Sequence, residues 1–136
     1  MRRVRALVAA IVLAGSALVT ATPAAAATPY CTKQQRVDFT AVGIHSFIPV
    51  SSGGNGECLL GQGSANSGVV ALQWMLVRCY QQSIGSVDGI FGPRTKAGLV
   101  NAQKRMGITA DGVYGPVTAH HIAWPLYVSS GAFWSC

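Results

Sequence analysis

The clearest pattern of apolar and polar positions begins just after residue 67. From there, residues at i, i+3, i+4, i+7, i+8 and i+11 form a set in which only the glutamine is polar. This spacing places the whole set on one face of an α-helix and predicts a first helix, which Asn66 or Ser67 can cap. The face consists of Val69, Leu72, Gln73, Leu76, Val77 and Tyr80.

Two further helices are predicted, and each begins at a proline. The second runs from Pro93 to about Met106, and Gly107 follows as a C-terminal stop. The third begins at Pro116 and is halted by Pro125, which disfavours helical geometry at the residue before it. The positions expected to face inward are Leu99, Ala102, Gln103 and Met106 in the second helix, and Val117, Ala119 or His121, and Ile122 in the third.

The residues before these helices have a weaker pattern. Residues 37–40 and 45–50 alternate partly at period two, with residues 41–43 between them, which favours a β-hairpin. We therefore predict a mainly α protein. A hairpin-like, disulfide-closed extension (28–59) precedes a three-helix bundle (60–126), and a short tail (127–136) is tethered by a disulfide.

An eight-residue pattern, D-G-aliphatic-aromatic-G-P-x-T, occurs twice at a spacing of 23 residues. Aspartate can accept loop N–H groups, glycine tolerates positive φ, and proline suits the first position of a helix. Each copy is predicted to be a turn that starts a helix, with its aromatic residue in the core and its threonine bonding back to the loop. The fixed positions are Asp88, Gly89, Phe91, Gly92, Pro93 and Thr95, and then Asp111, Gly112, Tyr114, Gly115, Pro116 and Thr118.

The first 27 residues have the three parts of a secretory signal peptide. Arginines stand at positions 2, 3 and 5, residues 6–19 are apolar, and residues 25–27 offer an alanine cleavage site. A membrane anchor is the alternative, but the apolar run is shorter than the roughly 20 residues that span a bilayer. We expect an exported, monomeric protein that has no membrane span after cleavage.

Charge and cysteine content narrow the function further. The net charge of +6 includes the signal peptide; without it, seven basic and four acidic residues leave +3. This charge suits an anionic polymer but is too scattered to indicate nucleic acid. An even number of cysteines in a small exported chain implies two disulfides, with three possible pairings. Cys31 and Cys58 bracket the strand-like segment and are the favoured pair, which leaves Cys79 for Cys136.

The helical segment resembles the three-helix type of bacterial peptidoglycan-binding domain. The resemblance lies in residues 68–76, residues 88–97, the pair Ala102–Gln103 and residues 111–118, and it covers about 60–124. It implies a small bundle that binds cell-wall glycan, usually beside a hydrolase domain, which we expect this protein to lack. Ala102 and Gly98 depart from the family pattern, which has a bulky aromatic before the glutamine. We expect the N-terminal segment or Phe133 and Trp134 to fill that space.

The inventory of reactive side chains argues against catalysis. Only Asp38 and Glu57 are acidic outside the two repeats, and both lie in segments of weak pattern. His120 and His121 are neighbours that point about 100° apart on a helix, so they do not readily share a metal ion. The cysteine spacing contains no C-x-x-C pair, so we expect no metal and no cofactor.

Four residues are candidates for ligand contact: Gln73, Trp74, Arg94 and Gln103. Either the two amides satisfy backbone groups of the loops, or they hold a ligand amide. Trp74 is suited to stacking on a sugar ring or to packing under the hairpin. Arg94 is either a solvated charge or a partner for a stem-peptide carboxylate. The predicted function is non-catalytic peptidoglycan binding; the alternatives are another polysaccharide or a protein partner on the same scaffold, and then a small hydrolase.

Overall fold

The computed structural model describes residues 25–39 and 43–136. These residues form an antiparallel sheet packed against helices. Most of the predicted signal peptide (1–24) and the centre of the predicted hairpin (40–42) lie outside the described part of the chain. The elements are β1 (Lys33–Phe39), β2 (Ile44–Val50), α1 (Ser67–Arg78), α2 (Pro93–Met106), α3 (Pro116–His121), β3 (Leu126–Tyr127) and β4 (Phe133–Ser135).

The prediction of a mainly α protein is wrong, because the sheet has four strands in the order β1-β2-β3-β4. Helices hold 29% of the described residues, and strands and bridges hold 23%. The difference comes from the C-terminal residues, which were expected to form only a tethered tail. His45 of β2 pairs with Tyr127, and Leu126 pairs with Ser135, so the C-terminal segment extends the hairpin.

The hairpin is longer than its apolar alternation suggested. β1 begins at Lys33, which pairs with Val50, and the ladder continues to the pair Phe39 and Ile44. Its first half is polar and largely exposed, so no period-two pattern marks it. The backbone N–H of Gln34 donates to Ser67 Oγ at 3.0 Å and connects the hairpin to the start of α1.

The helix boundaries follow the local signals in the sequence. Asn66 caps α1, since its side chain accepts hydrogen bonds from the N–H groups of Gly68 and Val69. α2 ends at Gly107, which has a left-handed φ of 72° and returns its N–H to the last turn. α3 ends well before Pro125. Its only buried residue is a threonine; Val117 is 60% exposed, and the prediction that it faces inward is wrong.

The core lies between α1, α2 and the two D-G loops. Phe91 and Tyr114, the aromatic residues of the repeat, are almost completely buried in it. Gly98 packs beneath Ile84: a Cβ added at Gly98 would lie 2.7 Å from Ile84 Cγ2. The loop after α1 therefore covers this position rather than the C-terminal aromatics. The largest residues of the core include Leu60, Val69, Leu72, Met75, Leu76, Leu99, Phe91 and Tyr114.

Two disulfides close the ends of the fold. Cys31 is bonded to Cys58, and Cys79 is bonded to Cys136; these are the pairs favoured by the sequence. The second bond spans 57 residues and ties the end of the chain to the end of α1. It thereby holds β4 at the edge of the sheet. Within the described residues, no helix is long and apolar enough to cross a membrane.

Candidate functional site

The buried side-chain amide of Gln73 forms hydrogen bonds with the first D-G loop. Gln73 Nε2 donates to Asp88 Oδ1 at 2.9 Å, to the Ile90 carbonyl at 3.1 Å and to Thr95 Oγ1 at 3.2 Å. Its Oε1 accepts the N–H of Gly89 at 2.8 Å. Gly89 has a φ of 76°, so the turn needs a residue that tolerates positive φ. One side chain therefore satisfies both ends of the loop.

The second loop repeats this network around Gln103. Its Nε2 donates to Asp111 Oδ1 at 2.9 Å, to the Val113 carbonyl at 2.9 Å and to Thr118 Oγ1 at 3.1 Å. Its Oε1 accepts the N–H of Gly112 at 2.9 Å. Both glutamines are 1% exposed. Of the two hypotheses for these amides, the geometry matches the one in which they satisfy loop backbone groups.

The carboxylate of the first loop is electrostatically stabilised. Hydrogen bonds from the Gln73 side chain and from the backbone N–H of Ile90 hold the pKa of Asp88 below its usual value of 3.8. Asp111 has the same backbone bond, from Val113 N–H at 2.9 Å. The aspartates thus bond to their own loops, as the turn chemistry predicts.

Each D-G loop borders a shallow groove on the outer surface. The first loop groove has a volume of about 460 Å³ and the second about 350 Å³. Seven lining positions, from Ser86 to Thr95, have a counterpart 23 residues later in the second groove, but Arg94 in the first stands where Val117 lies in the second. The first groove therefore has a guanidinium beside its aspartate, whereas the second has the aspartate alone. It is lined by Gln73, Ile84, Gly85, Ser86, Asp88, Ile90, Gly92, Pro93, Arg94 and Thr95.

A third groove, here named the aromatic groove, lies between α1 and the sheet and has a volume of about 440 Å³. Trp74 is 38% exposed on one side of it. The Cζ atom of Arg78 lies 5.1 Å from the ring centroids of both Trp74 and Phe133. Burial raises the pKa of Tyr127, and the nearby charge of Arg78 partly opposes this shift. The groove is lined by Gln34, His45, Phe47, Val70, Ala71, Trp74, Arg78, Pro125, Tyr127 and Gly131.

Among these residues, only Trp74 was a ligand candidate from the sequence. Arg78 was missed because a basic residue in the last turn of a helix already has a favourable interaction with the helix dipole. His45 and Phe47 stand two apart on β2 and so share a face. That spacing was the available signal for this side of the groove. Tyr127, which lies beside His45, comes from a strand of two residues, and a strand that short shows no periodicity.

The remaining titratable residues are spread over the surface. His120 Nε2 lies 2.8 Å from Glu57 Oε1, and Arg36 Nε lies 2.8 Å from Asp38 Oδ1. No group of three His, Cys, Asp or Glu side chains that could hold a metal ion occurs in the described ranges. What the three grooves offer is non-covalent chemistry: aromatic faces, two guanidinium groups and amides.

Comparisons with known proteins find relatives of the helical part. An uncharacterized protein in the bpoA1 3' region of Kitasatospora aureofaciens is 37% identical over 62 residues, which are 46% of this chain and 52% of that protein. The chain thus spans about half the length of this curated relative. The solved structure of the SleB N-terminal domain is 32% identical, with a TM-score of 0.43, over 47% of this chain and 86% of that one.

A second solved structure is a peptidoglycan-binding protein from Clostridioides difficile in complex with glutamine hydroxamate. It is 23% identical, with a TM-score of 0.43, over 62% of this chain and 53% of that one. The family model described as "putative peptidoglycan binding domain" matches residues 65–122. This range contains all three helices and both D-G loops. Residues 65–122 of this chain therefore match the family of putative peptidoglycan binding domains.

Proposed function

We propose that the protein binds peptidoglycan outside the cytoplasm and does not cleave it. The observation that carries the proposal is the match of residues 65–122 to the peptidoglycan-binding family. Export is supported by the signal-like first 27 residues and by two disulfides, which persist in oxidising compartments. Cleavage of the signal after Ala27 would leave one small domain that acts as a monomer.

The absence of cleavage rests on the side chains present. Asp38 pairs with Arg36 and Glu57 contacts His120, while Asp88 and Asp111 bond to their own loops. This arrangement supplies no pair of facing carboxylates of the kind that glycoside hydrolysis uses.

The first loop groove is the proposed contact surface of the family-matched segment. Arg94 is exposed there and suits a carboxylate of the wall stem peptide. Gln73 lines the same groove from beneath, and Gln103 has the corresponding place under the second loop. In this proposal the two glutamines act by holding the loops in shape, and Arg94 and Trp74 make the exposed contacts.

Co-sedimentation with purified, insoluble cell walls tests the proposal, with release of soluble muropeptides measured on the same samples. We expect wild-type protein to sediment with walls and to release nothing. Arg94→Gln should weaken sedimentation by about twofold to fivefold, the change in affinity that corresponds to the free energy of one exposed ion pair. Lys104→Gln removes the same charge away from the groove and should bind like wild type.

Other results would contradict the proposal in distinct ways. A folded protein that stays in solution with walls rejects peptidoglycan binding. Sedimentation with chitin instead of walls identifies the alternative polysaccharide, and soluble fragments identify a hydrolase. Moderate salt should reduce binding without abolishing it, because screening acts mainly on the exposed charges.

A further inference from the structure

The aromatic groove forms where the family-matched segment meets the added sheet. α1 contributes Trp74 and Arg78 from inside residues 65–122. β2 contributes His45 and Phe47, and β3 contributes Tyr127, all from outside that range. The match to the peptidoglycan-binding family therefore does not account for this groove. Its volume of about 440 Å³ lies in the range of small-molecule sites.

His45 supplies the first indication of a ligand. Its side chain is 4% exposed and lines the groove, yet its Nδ1 has no hydrogen-bond partner among the described residues. Buried polar atoms are normally paired, and an unpaired one costs the desolvation of that group. A molecule bound in the groove with a hydroxyl or amide group would supply the missing partner.

Arg78 supplies the second indication. Its Cζ atom lies over the rings of both Trp74 and Phe133, 5.1 Å from each centroid. No acidic side chain of the chain neutralises it, because all four are engaged elsewhere. A guanidinium presents its N–H groups in a planar fork that matches a carboxylate. The engaged acids are Asp38 with Arg36, Glu57 with His120, and Asp88 and Asp111 in their loops.

The remaining walls suit a sugar ring. The ring of His45 lies 5.5 Å from that of Phe47, edge to face, and 5.8 Å from that of Tyr127, so the three rings form an aromatic cluster. Trp74 faces the groove from α1. Aromatic faces pack against the C–H faces of pyranose rings, and polar groups beside them fix the orientation. The amide of Gln34 and the hydroxyl of Tyr127 border the same space.

We propose that the aromatic groove binds a pyranose ring that carries a carboxylate, with Arg78 on the carboxylate and His45 on a ring substituent. The choice of ligand rests on the proposed function, since a muramic acid residue whose lactyl carboxyl carries no stem peptide is such a ring. Uronic acids carry the same group and are a second source of this chemistry. The neutral sugar without the carboxylate is then the weaker ligand.

Titration followed by amide chemical shifts in ¹⁵N-labelled, disulfide-bonded protein tests this site. The probes are N-acetylmuramic acid against N-acetylglucosamine, and glucuronic acid against glucose; the sugars of each pair differ in the acidic group. We expect the acidic sugar to shift amides of α1 and β2 around the groove and to bind about tenfold more tightly than its neutral partner. The pair of sugars with the larger difference in affinity shows whether the ligand is a muramic acid or a uronic acid.

Arg78→Gln is the diagnostic variant, because it keeps the helix and removes the charge. It should abolish the preference for the acidic sugar and leave the neutral one unchanged. Lys104→Gln removes a charge from the last turn of α2, away from the groove, and should retain the preference. Equal binding of acidic and neutral sugars, shifts confined to the D-G loops, or an unchanged preference in Arg78→Gln would overturn the assignment.

Failure of this site and failure of the proposed function give different results. Wall sedimentation that persists while no free sugar shifts the groove rejects the carboxylate site alone. Groove shifts by the acidic sugar without wall sedimentation support the site and reject peptidoglycan binding. A second variant, His45→Phe, keeps an aromatic ring and removes both nitrogens. It should weaken both sugars of a pair equally, whereas unaltered binding would contradict the role of His45.

Discussion

Replacing Gln73 by methionine tests whether the D-G loops are held by a buried amide. Methionine has a similar length and good helix propensity, so α1 should remain intact. The substitution removes every hydrogen bond from this side chain to the first loop. It leaves the N–H of Gly89, which is buried, without the acceptor that lies 2.8 Å away in the wild-type protein.

The expected loss of stability depends on how exposed each hydrogen-bond partner of Gln73 is. An unsatisfied buried N–H costs about 1–3 kcal/mol. Thr95 Oγ1 is also buried and loses a donor, whereas Asp88 is exposed and regains water. The sum is about 2–4 kcal/mol, a large part of the roughly 5–15 kcal/mol that stabilises a typical domain. For a chain of this size that loss lowers the Tm by roughly 10–25 °C.

Thermal unfolding followed by far-UV circular dichroism, with disulfides intact, measures this loss. Gln103→Met should cost a similar amount, because the second network has the same donors and acceptors at nearly the same distances. Gln35→Met on the exposed face of β1 is the control and should change stability by less than about 0.5 kcal/mol. If Gln73→Met unfolds within about 3 °C of wild type, the loop groups have other partners and the reasoning is refuted.

Two further predictions concern pH and packing. Because Asp88 has a pKa below its usual 3.8 in the folded state, its stabilising contribution is present above that value and is lost as pH falls through the lowered one. Melting curves from neutral pH to about pH 2 should therefore show the gap between wild type and Asp88→Asn closing on acidification; a constant gap would contradict this. Gly98→Ala should lower the free energy of unfolding by about 1–2 kcal/mol, although alanine is the better helix former, because the new methyl meets Ile84 at 2.7 Å. Lys104→Ala reports helix propensity without this contact, and a higher Tm for Gly98→Ala would show that Ile84 moves aside.

The helices and their starting turns were predictable because their signals are local. The repeat of Asp-Gly, an aromatic residue and Gly-Pro specifies a turn and the first helical position within eight residues. α2 begins at Pro93 and ends before Gly107, as the sequence predicts. Asn66 is the cap of α1, one of the two residues proposed. Each of these features depends on neighbours within one or two turns of the chain.

Assigning roles to the four ligand candidates required distances from the three-dimensional structure. A glutamine on an apolar helix face has two possible targets, a loop or a ligand, and sequence spacing favours neither. The choice depends on where the loop backbone lies, and Gly89 and Ile90 are 16 and 17 residues away from Gln73. For Trp74 and Arg94, the sequence indicated helix positions, while the grooves beside them are formed by other elements.

By itself, the sequence determined the two D-G turns and the three helices, and it favoured one of the three possible cysteine pairings. Only the tertiary structure decided that the protein has a four-stranded sheet and an aromatic groove. β3 has two residues and β4 has three, so neither is long enough to show a period, and the pairing of β3 with β2 joins His45 and Tyr127, about 80 positions apart. Hydrogen bonds over such a separation depend on how the Cys79–Cys136 bond and α1 position the end of the chain, and no local pattern contains that information.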